Sequence, residues 1–216
     1  MPILTVNKLR FYFRIKKVKI HIICLFLILL FASINFSFYI LVLFSCIIIH
    51  EMGHIIFIKI NKLQILSIEI LPFGINIATV PIGGNKLTSY KTDIIIALSG
   101  PFANILFSAV ILLTIKINGY GSILFFSFLT NILYASINLF PVKSLDGGRI
   151  SEIVLKILLP ENLSYIVYTA ISAIFLAILS VFALFVLMVT GYNFTLILLC
   201  CYLFYTIHFS PGKREK

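Results

Sequence analysis

The stretch CIIIHEMGHIIFI, residues 46–58, sets two histidines and a glutamate inside a run that otherwise reads as lipid-soluble. An ionisable side chain at the centre of a bilayer costs roughly 2.5–3.5 kcal/mol on insertion scales. Three such groups within five positions therefore need a compensating partner. His50, Glu51 and His54 spell H-E-x-x-H. On a helix, residues four apart share one face, one turn above the other. Both imidazoles can then reach one Zn²⁺, and the intervening glutamate can take a proton from water at the metal. The bland reading, three polar groups facing lipid or an apolar core, is disfavoured by the same membrane energetics.

The composition around this stretch points the same way. Of the 216 residues, 61% are hydrophobic and 11% charged, with a mean hydropathy of +1.15. A soluble domain carries about 45–50% apolar and about 25% charged residues. Apolar runs fall at about 20–36, 38–60, 93–117, 120–140, 163–188 and 193–209, each near the roughly 20 residues that a span requires. INFS, NGYG and TGYN separate neighbouring runs with turn residues. The expected fold is an all-α polytopic membrane protein with six transmembrane helices. A basic cytoplasmic tail is expected over 1–19, a six-span membrane domain over 20–209 and a second cytoplasmic tail over 210–216.

The net charge of +10 does not signal nucleic acid. With the amino terminus placed in the cytoplasm, sixteen of the seventeen Lys and Arg residues fall on the cytoplasmic side, as the positive-inside rule requires. Lys116 is the exception, at a span end where it can snorkel. The expectation is a multi-pass protein of a bacterial cell membrane with both termini cytoplasmic and the site opening to that side. The amino terminus has the charge pattern of a signal peptide without a small-x-small cleavage site, so an uncleaved first span is expected. Cys24, Cys46, Cys200 and Cys201 lie in apolar runs without CxxC spacing and read as small buried hydrophobes.

Residues 65–84, ILSIEILPFGINIATVPIGG, are apolar but broken by Pro72, Gly74, Pro81 and Gly83-Gly84. The alternating, β-branched run Ile75–Val80 is strand-like, and an open strand edge cannot face lipid. A small β hairpin or re-entrant segment at the cytoplasmic boundary is expected.

A catalytic zinc needs three protein ligands and an open position. His21 and His208 fall at cytoplasmic span ends, where a solvated or interfacial role is the better reading. Cys46 lies one turn from His50 and is a candidate, but on the wrong side of the histidine pair. Glu69 and Asp93 border cytoplasmic loops. NLFPVKSLDGGR, residues 138–149, offers Asp146 after an interruption by Asn138 and Pro141. LDGG is also an ordinary turn sequence. Depth favours the ligand reading, since the histidines lie roughly 7–14 Å below the cytoplasmic edge at 1.5 Å per residue, on the side to which Asp146 belongs.

These motifs together resemble the site-2 protease family of intramembrane zinc metalloproteases. The likeness rests on His50, Glu51 and His54, on N-x-x-P-x-x-x-L-D-G-G at Asn138, Pro141, Leu145, Asp146, Gly147 and Gly148, and on SGPFAN with Gly100, Pro101 and Asn104. LPFG at 71–74 resembles the sporulation branch, the stage IV factor B protease that processes the sigma-K precursor. The resemblance covers about residues 20–209. It implies one Zn²⁺ held by His50, His54 and Asp146, with Glu51 as general base. It also implies regulated proteolysis of a membrane-associated protein substrate. Asn138 and Pro141, together with Gly74 and Asn76 of the hairpin, are the candidate substrate contacts. A regulatory membrane protein is a candidate partner alongside the bilayer, nucleic acid is not expected, and the oligomeric state is left open. Two departures from that branch are expected: the nucleotide-sensing CBS domain of the sporulation enzyme does not follow residue Lys216 of this sequence, and no PDZ domain is inserted. The alternative is a transmembrane metal-ion or proton transporter using the same ionisable groups. It would need polar residues through the whole depth of several spans, whereas the extracytoplasmic half is almost purely apolar.

Overall fold

The computed structural model describes residues 3–7, 10–15, 18–21, 38–71, 74–81, 89–191 and 194–209. The expected first span, about 20–36, lies outside the described residues apart from its first two positions. The described chain runs β1 (Ile3–Asn7), β2 (Arg10–Ile15), β3 (Val18–His21), α1 (Phe38–Ile60), β4 (Leu63–Leu71), β5 (Gly74–Pro81), α2 (Tyr90–Asn118), α3 (Ser122–Asn138), α4 (Asp146–Leu158), α5 (Glu161–Thr190) and α6 (Thr195–Phe209).

Five of the expected spans coincide with α1, α2, α3, α5 and α6 to within a few residues. Three of these, α1, α2 and α5, are long and apolar enough to cross a membrane, and α3 and part of α6 (Leu196–Tyr205) are shorter apolar helices. The hairpin expected over 65–84 is β4–β5, an antiparallel pair with a bulge between Ile65 and Ser67. It belongs to a five-stranded sheet in the order β1-β2-β3-β4-β5. The segment expected as a basic tail over 1–19 supplies three of those strands. The reason is legible in RFYFRI, residues 10–15, where three aromatic residues separate the arginines and a β-branched isoleucine follows them. β3 pairs parallel with β4, Val18 opposite Ile68 and Ile20 opposite Ile70.

The chain forms two compact units, Met1–Ala135 and Ser136–Lys216. In the first, a small core of Ile58, Leu63 and Ile96 joins the end of α1 to the start of β4 and to α2, with Phe57, Ile65 and Ile77 packed around it. In the second, Val142, Leu145, Leu176, Leu179, Ala183, Cys200 and Leu203 form the core that ties the 139–145 segment to α5 and α6.

Each long helix exposes large apolar side chains and buries polar ones. On α1, Ile48, Met52 and Ile56 are exposed, whereas Cys46, His50, Glu51 and Gly53 are buried. On α5, Phe182, Phe185 and Met188 are exposed, while Ser164 and Ser172 are buried. Water would not tolerate the first pattern and lipid selects it. A membrane protein follows from this inversion.

Gly53 lets α1 and α2 approach closely. A Cβ there would run into the Ser99 carbonyl oxygen and stand 2.9 Å from the Ala103 Cβ. Gly53→Val should therefore push the two helices apart. A loss of about 1–3 kcal/mol is expected, the usual range for overpacking. It should appear as a lower midpoint in thermal unfolding followed by circular dichroism in detergent.

Candidate active site

The 3.6-residue repeat of α1 turns His50 and His54 to one side, and the close α1–α2 contact brings Ser99, Gly100 and Asn104 against them. His50 is 3% exposed and Glu51 7% exposed; His54 is partly buried. The two imidazoles meet edge to face, with centroids 4.8 Å apart, and their Nε2 atoms are 3.2 Å apart. Tyr134 of α3 closes the other side of His50, ring centroid to ring centroid 5.0 Å at 87°.

The hydrogen bonds on the far sides of the rings decide what the Nε2 atoms can do. His50 Nδ1 lies 2.8 Å from Asn104 Oδ1, and His54 Nδ1 lies 2.8 Å from the Ile96 carbonyl. Both partners accept, so each Nδ1 carries the hydrogen. In the neutral imidazole, each Nε2 is then left with a lone pair. Two lone pairs 3.2 Å apart repel unless a cation lies between their axes. Nitrogens 2.0–2.1 Å from a tetrahedral zinc stand about 3.3–3.4 Å apart, so the pair fits that ion.

Gly100 supplies the room. A Cβ built there would collide with His54 Nε2 and stand 2.7 Å from His50 Nε2. The hydrogen atom of glycine therefore leaves room beside both Nε2 atoms. The sequence shows Gly100 only as part of SGPFAN; its closeness to the histidines depends on the packing of α2 against α1.

Asn104 is fully buried, and its Nδ2 donates to the Cys46 carbonyl at 3.0 Å and to Asn131 Oδ1 at 2.8 Å. Asn131, expected as an interhelical partner, has that role. Cys46 takes its place in the same polar cluster, its Sγ 3.8 Å from the Thr130 carbonyl and 3.4 Å from Asn104 Nδ2. It stands on the Nδ1 side of His50, away from the paired Nε2 atoms.

In the second unit, Asp146 opens α4, an end where a helix favours negative charge. The 139–145 turn is held against it by the two glycines. A Cβ at Gly147 would run into the Leu139 carbonyl, and one at Gly148 into the Val142 carbonyl. Ser144, at φ 83°, takes a left-handed conformation within the same turn. Ser172 Oγ donates to the Pro141 carbonyl at 3.1 Å, fixing the turn to α5. Asn138 is the last residue of α3. Gly74 and Asn76 lie on β5, opposite Leu71 and Glu69 of β4. His21 ends β3 and His208 lies in α6.

Residues 38–121 match Peptidase family M50. Over 146 residues, 65% of the chain, it is 30% identical to the zinc metalloprotease MJ0392 of Methanocaldococcus jannaschii. The chain spans 40% of the length of that curated relative. A solved site-2 protease from Methanocaldococcus jannaschii shares the fold at a TM-score of 0.61 and 22% identity, covering 96% of this chain and 94% of that one. The family match and the curated relative both point to M50 zinc metalloproteases, and the solved structure shares the fold. The M50 likeness covers α1 and α2, the two helices that carry the histidines, Glu51, Gly100 and Asn104.

Proposed function

We propose that this chain is an intramembrane zinc metalloendopeptidase that cuts a membrane-associated protein within or beside the bilayer. The observation that carries the reading is the pair of imidazoles, His50 buried and His54 partly buried, with both Nδ1 atoms on oxygen acceptors and the two Nε2 atoms 3.2 Å apart. The proposal assigns His50, His54 and Asp146, the residues of the two sequence motifs, as the donor set for one metal ion. Two neutral imidazoles and one carboxylate are a catalytic zinc set with a fourth position left for water or substrate. When bound, the zinc acidifies water and polarises the scissile carbonyl.

The chain's own residues then divide the work. Glu51, next to the first ligand on α1, takes the proton of the attacking water and returns it to the leaving amine. Asn138, at the broken end of α3, holds the unwound substrate, with Pro141 shaping the turn beside it. β5 ends the described sheet, so an extended substrate can add to it as a further strand along Gly74 and Asn76. Six spans, with both termini and the site opening on the cytoplasmic side of a bacterial membrane, complete the proposal. A sporulation sigma factor precursor is the first substrate to try, and a regulatory membrane protein is an expected partner.

The test is co-expression with a panel of membrane-tethered candidates, the sigma-K precursor among them, with substrate size read by immunoblot. Cleavage by the wild type and not by Glu51→Gln supports the protease. Metal flux in vesicles that survives Glu51→Gln, with every substrate intact, would favour the transporter instead. In detergent, 1,10-phenanthroline should abolish cleavage and added Zn²⁺ should restore it. Activity that persists after verified metal removal would exclude zinc chemistry.

A further inference from the structure

We propose that Asn104 and Asn131 form a two-amide relay that fixes the tautomer of His50, holding its proton on Nδ1 and its Nε2 lone pair toward the metal position. Both are positioning residues. The inference rests on the zinc-site reading above and extends it to two residues on two further helices.

The relay has only one satisfied arrangement. Asn131 Nδ2 donates to the Ser127 carbonyl at 2.8 Å, one turn back on α3. That leaves Asn131 Oδ1 to accept from Asn104 Nδ2 at 2.8 Å. The second hydrogen of Asn104 Nδ2 goes to the Cys46 carbonyl at 3.0 Å. Asn104 Oδ1 is thereby turned to His50 Nδ1 at 2.8 Å. Flipping Asn104 would point its oxygen at two acceptors and its NH₂ group at His50. The ring would then have to move its proton to Nε2, where it would block metal binding.

Burial makes the choice firm. Asn104 and Asn131 are both fully buried, among helices whose outer faces are apolar, so there is little water to offer a substitute partner. The Cys46 carbonyl is one turn ahead of His50 on α1, the position from which a helical carbonyl receives the His50 N–H. The Asn104 amide therefore grips both the ring and the backbone turn that carries it. His54 needs no such relay, because its Nδ1 partner is the Ile96 backbone carbonyl, which cannot flip.

The experiment uses the full chain in detergent, with Zn²⁺ alone as the probe. Zinc affinity is measured by competition with a chromophoric chelator. The tautomer is read in the metal-free chain by ¹⁵N-histidine NMR, with the His50 signals identified by their loss in His50→Phe. Asn104→Leu keeps the volume and removes the acceptor. It should weaken zinc binding about 10–100-fold, the usual effect of losing an outer partner of a ligating histidine, and move the His50 proton toward Nε2. Asn131→Asp keeps an acceptor for Asn104 Nδ2 and should retain both the wild-type tautomer and most of the affinity. Asn131→Leu frees Asn104 and should lose affinity and tautomer together.

A His50 proton that stays on Nδ1 in Asn104→Leu, or zinc affinity within about two-fold of wild type, overturns the relay. If Asn104→Leu does not fold, the Asn131 pair decides: equal behaviour of Asp and Leu at that position overturns it as well. Should the wild type itself bind no zinc, the metalloprotease reading fails, whereas the metal-free NMR comparison still decides the tautomer.

Discussion

Glu51→Gln should leave the chain folded and zinc-loaded and yet slow peptide cleavage roughly a thousand-fold, within the range for loss of a positioned general base. That is about 4 kcal/mol of barrier. The substitution keeps the side chain's shape and removes its charge, so the buried position, only 7% exposed, is not disturbed by a change in volume. A neutral amide is also easier than a carboxylate to hold in an apolar helix bundle. Stability should accordingly be unchanged or slightly raised. Two measurements on one preparation suffice: zinc content after dialysis, and initial rate on whichever tethered substrate the wild type cuts. Full zinc with no cleavage supports the general-base role. Cleavage at the wild-type rate sinks it. Loss of zinc together with activity would instead assign Glu51 to holding the metal.

Gly100→Ala should have an effect of similar size through the opposite property, losing the metal while keeping the base. One methyl group at that position would occupy the space in front of both Nε2 atoms, standing 2.7 Å from that of His50 and closer still to that of His54. The Cβ is fixed by the backbone of α2, so only the imidazole rings could give way, and their Nδ1 hydrogen bonds to Asn104 and the Ile96 carbonyl hold them in place. Zinc affinity should fall by more than the roughly 10–100-fold that follows loss of an outer hydrogen-bond partner. Helix content should remain, since alanine is a better helix former than glycine by about 1 kcal/mol. Isothermal titration with Zn²⁺, beside a far-ultraviolet dichroism spectrum, checks both halves. Wild-type affinity in Gly100→Ala would mean that the metal approaches the histidines from a different direction.

The parts of this molecule that were legible from sequence are those whose geometry is local. H-E-x-x-H could be read because four residues make about one turn of any helix, whatever the rest of the chain does. The helix limits of α1, α2, α3, α5 and α6 could be read because each coincides with a long apolar run. The hairpin could be read from its alternation and its prolines. The role of Asn104 was not legible, since its partners His50 and Asn131 lie 54 and 27 positions away and nothing local says that three helices meet there. Gly100 was visible as a motif member but not as the open space before the histidines. α4 was passed over as a cytoplasmic segment because its 13 residues mix charged and apolar positions, DGGRISEIVLKIL. Periodicity could have found it: Ile150, Ile153, Val154 and Ile157 recur at helical spacing. At the amino terminus, the charge of Arg10 and Arg14 outweighed the strand-like alternation of their neighbours.

The parallel pairing of β3 with β4 has a bearing on how the molecule is made. Val18 and Ile68 are pairing partners fifty positions apart, and α1 lies within the stretch between them. A ribosome delivers β3 early, but its neighbour in the sheet arrives only after both histidines and Glu51 have been synthesised. β5, the strand proposed to receive substrate, follows later still, and Asp146 comes after the whole sheet. Synthesis thus has a built-in order: the proposed metal donors His50 and His54 first, the proposed docking strand next, the proposed third donor Asp146 last. If the proposed roles hold, a nascent chain carries the strand that would grip a substrate before it carries the complete set of ligands that would cut it, and a chain still on the ribosome would not yet be an active protease.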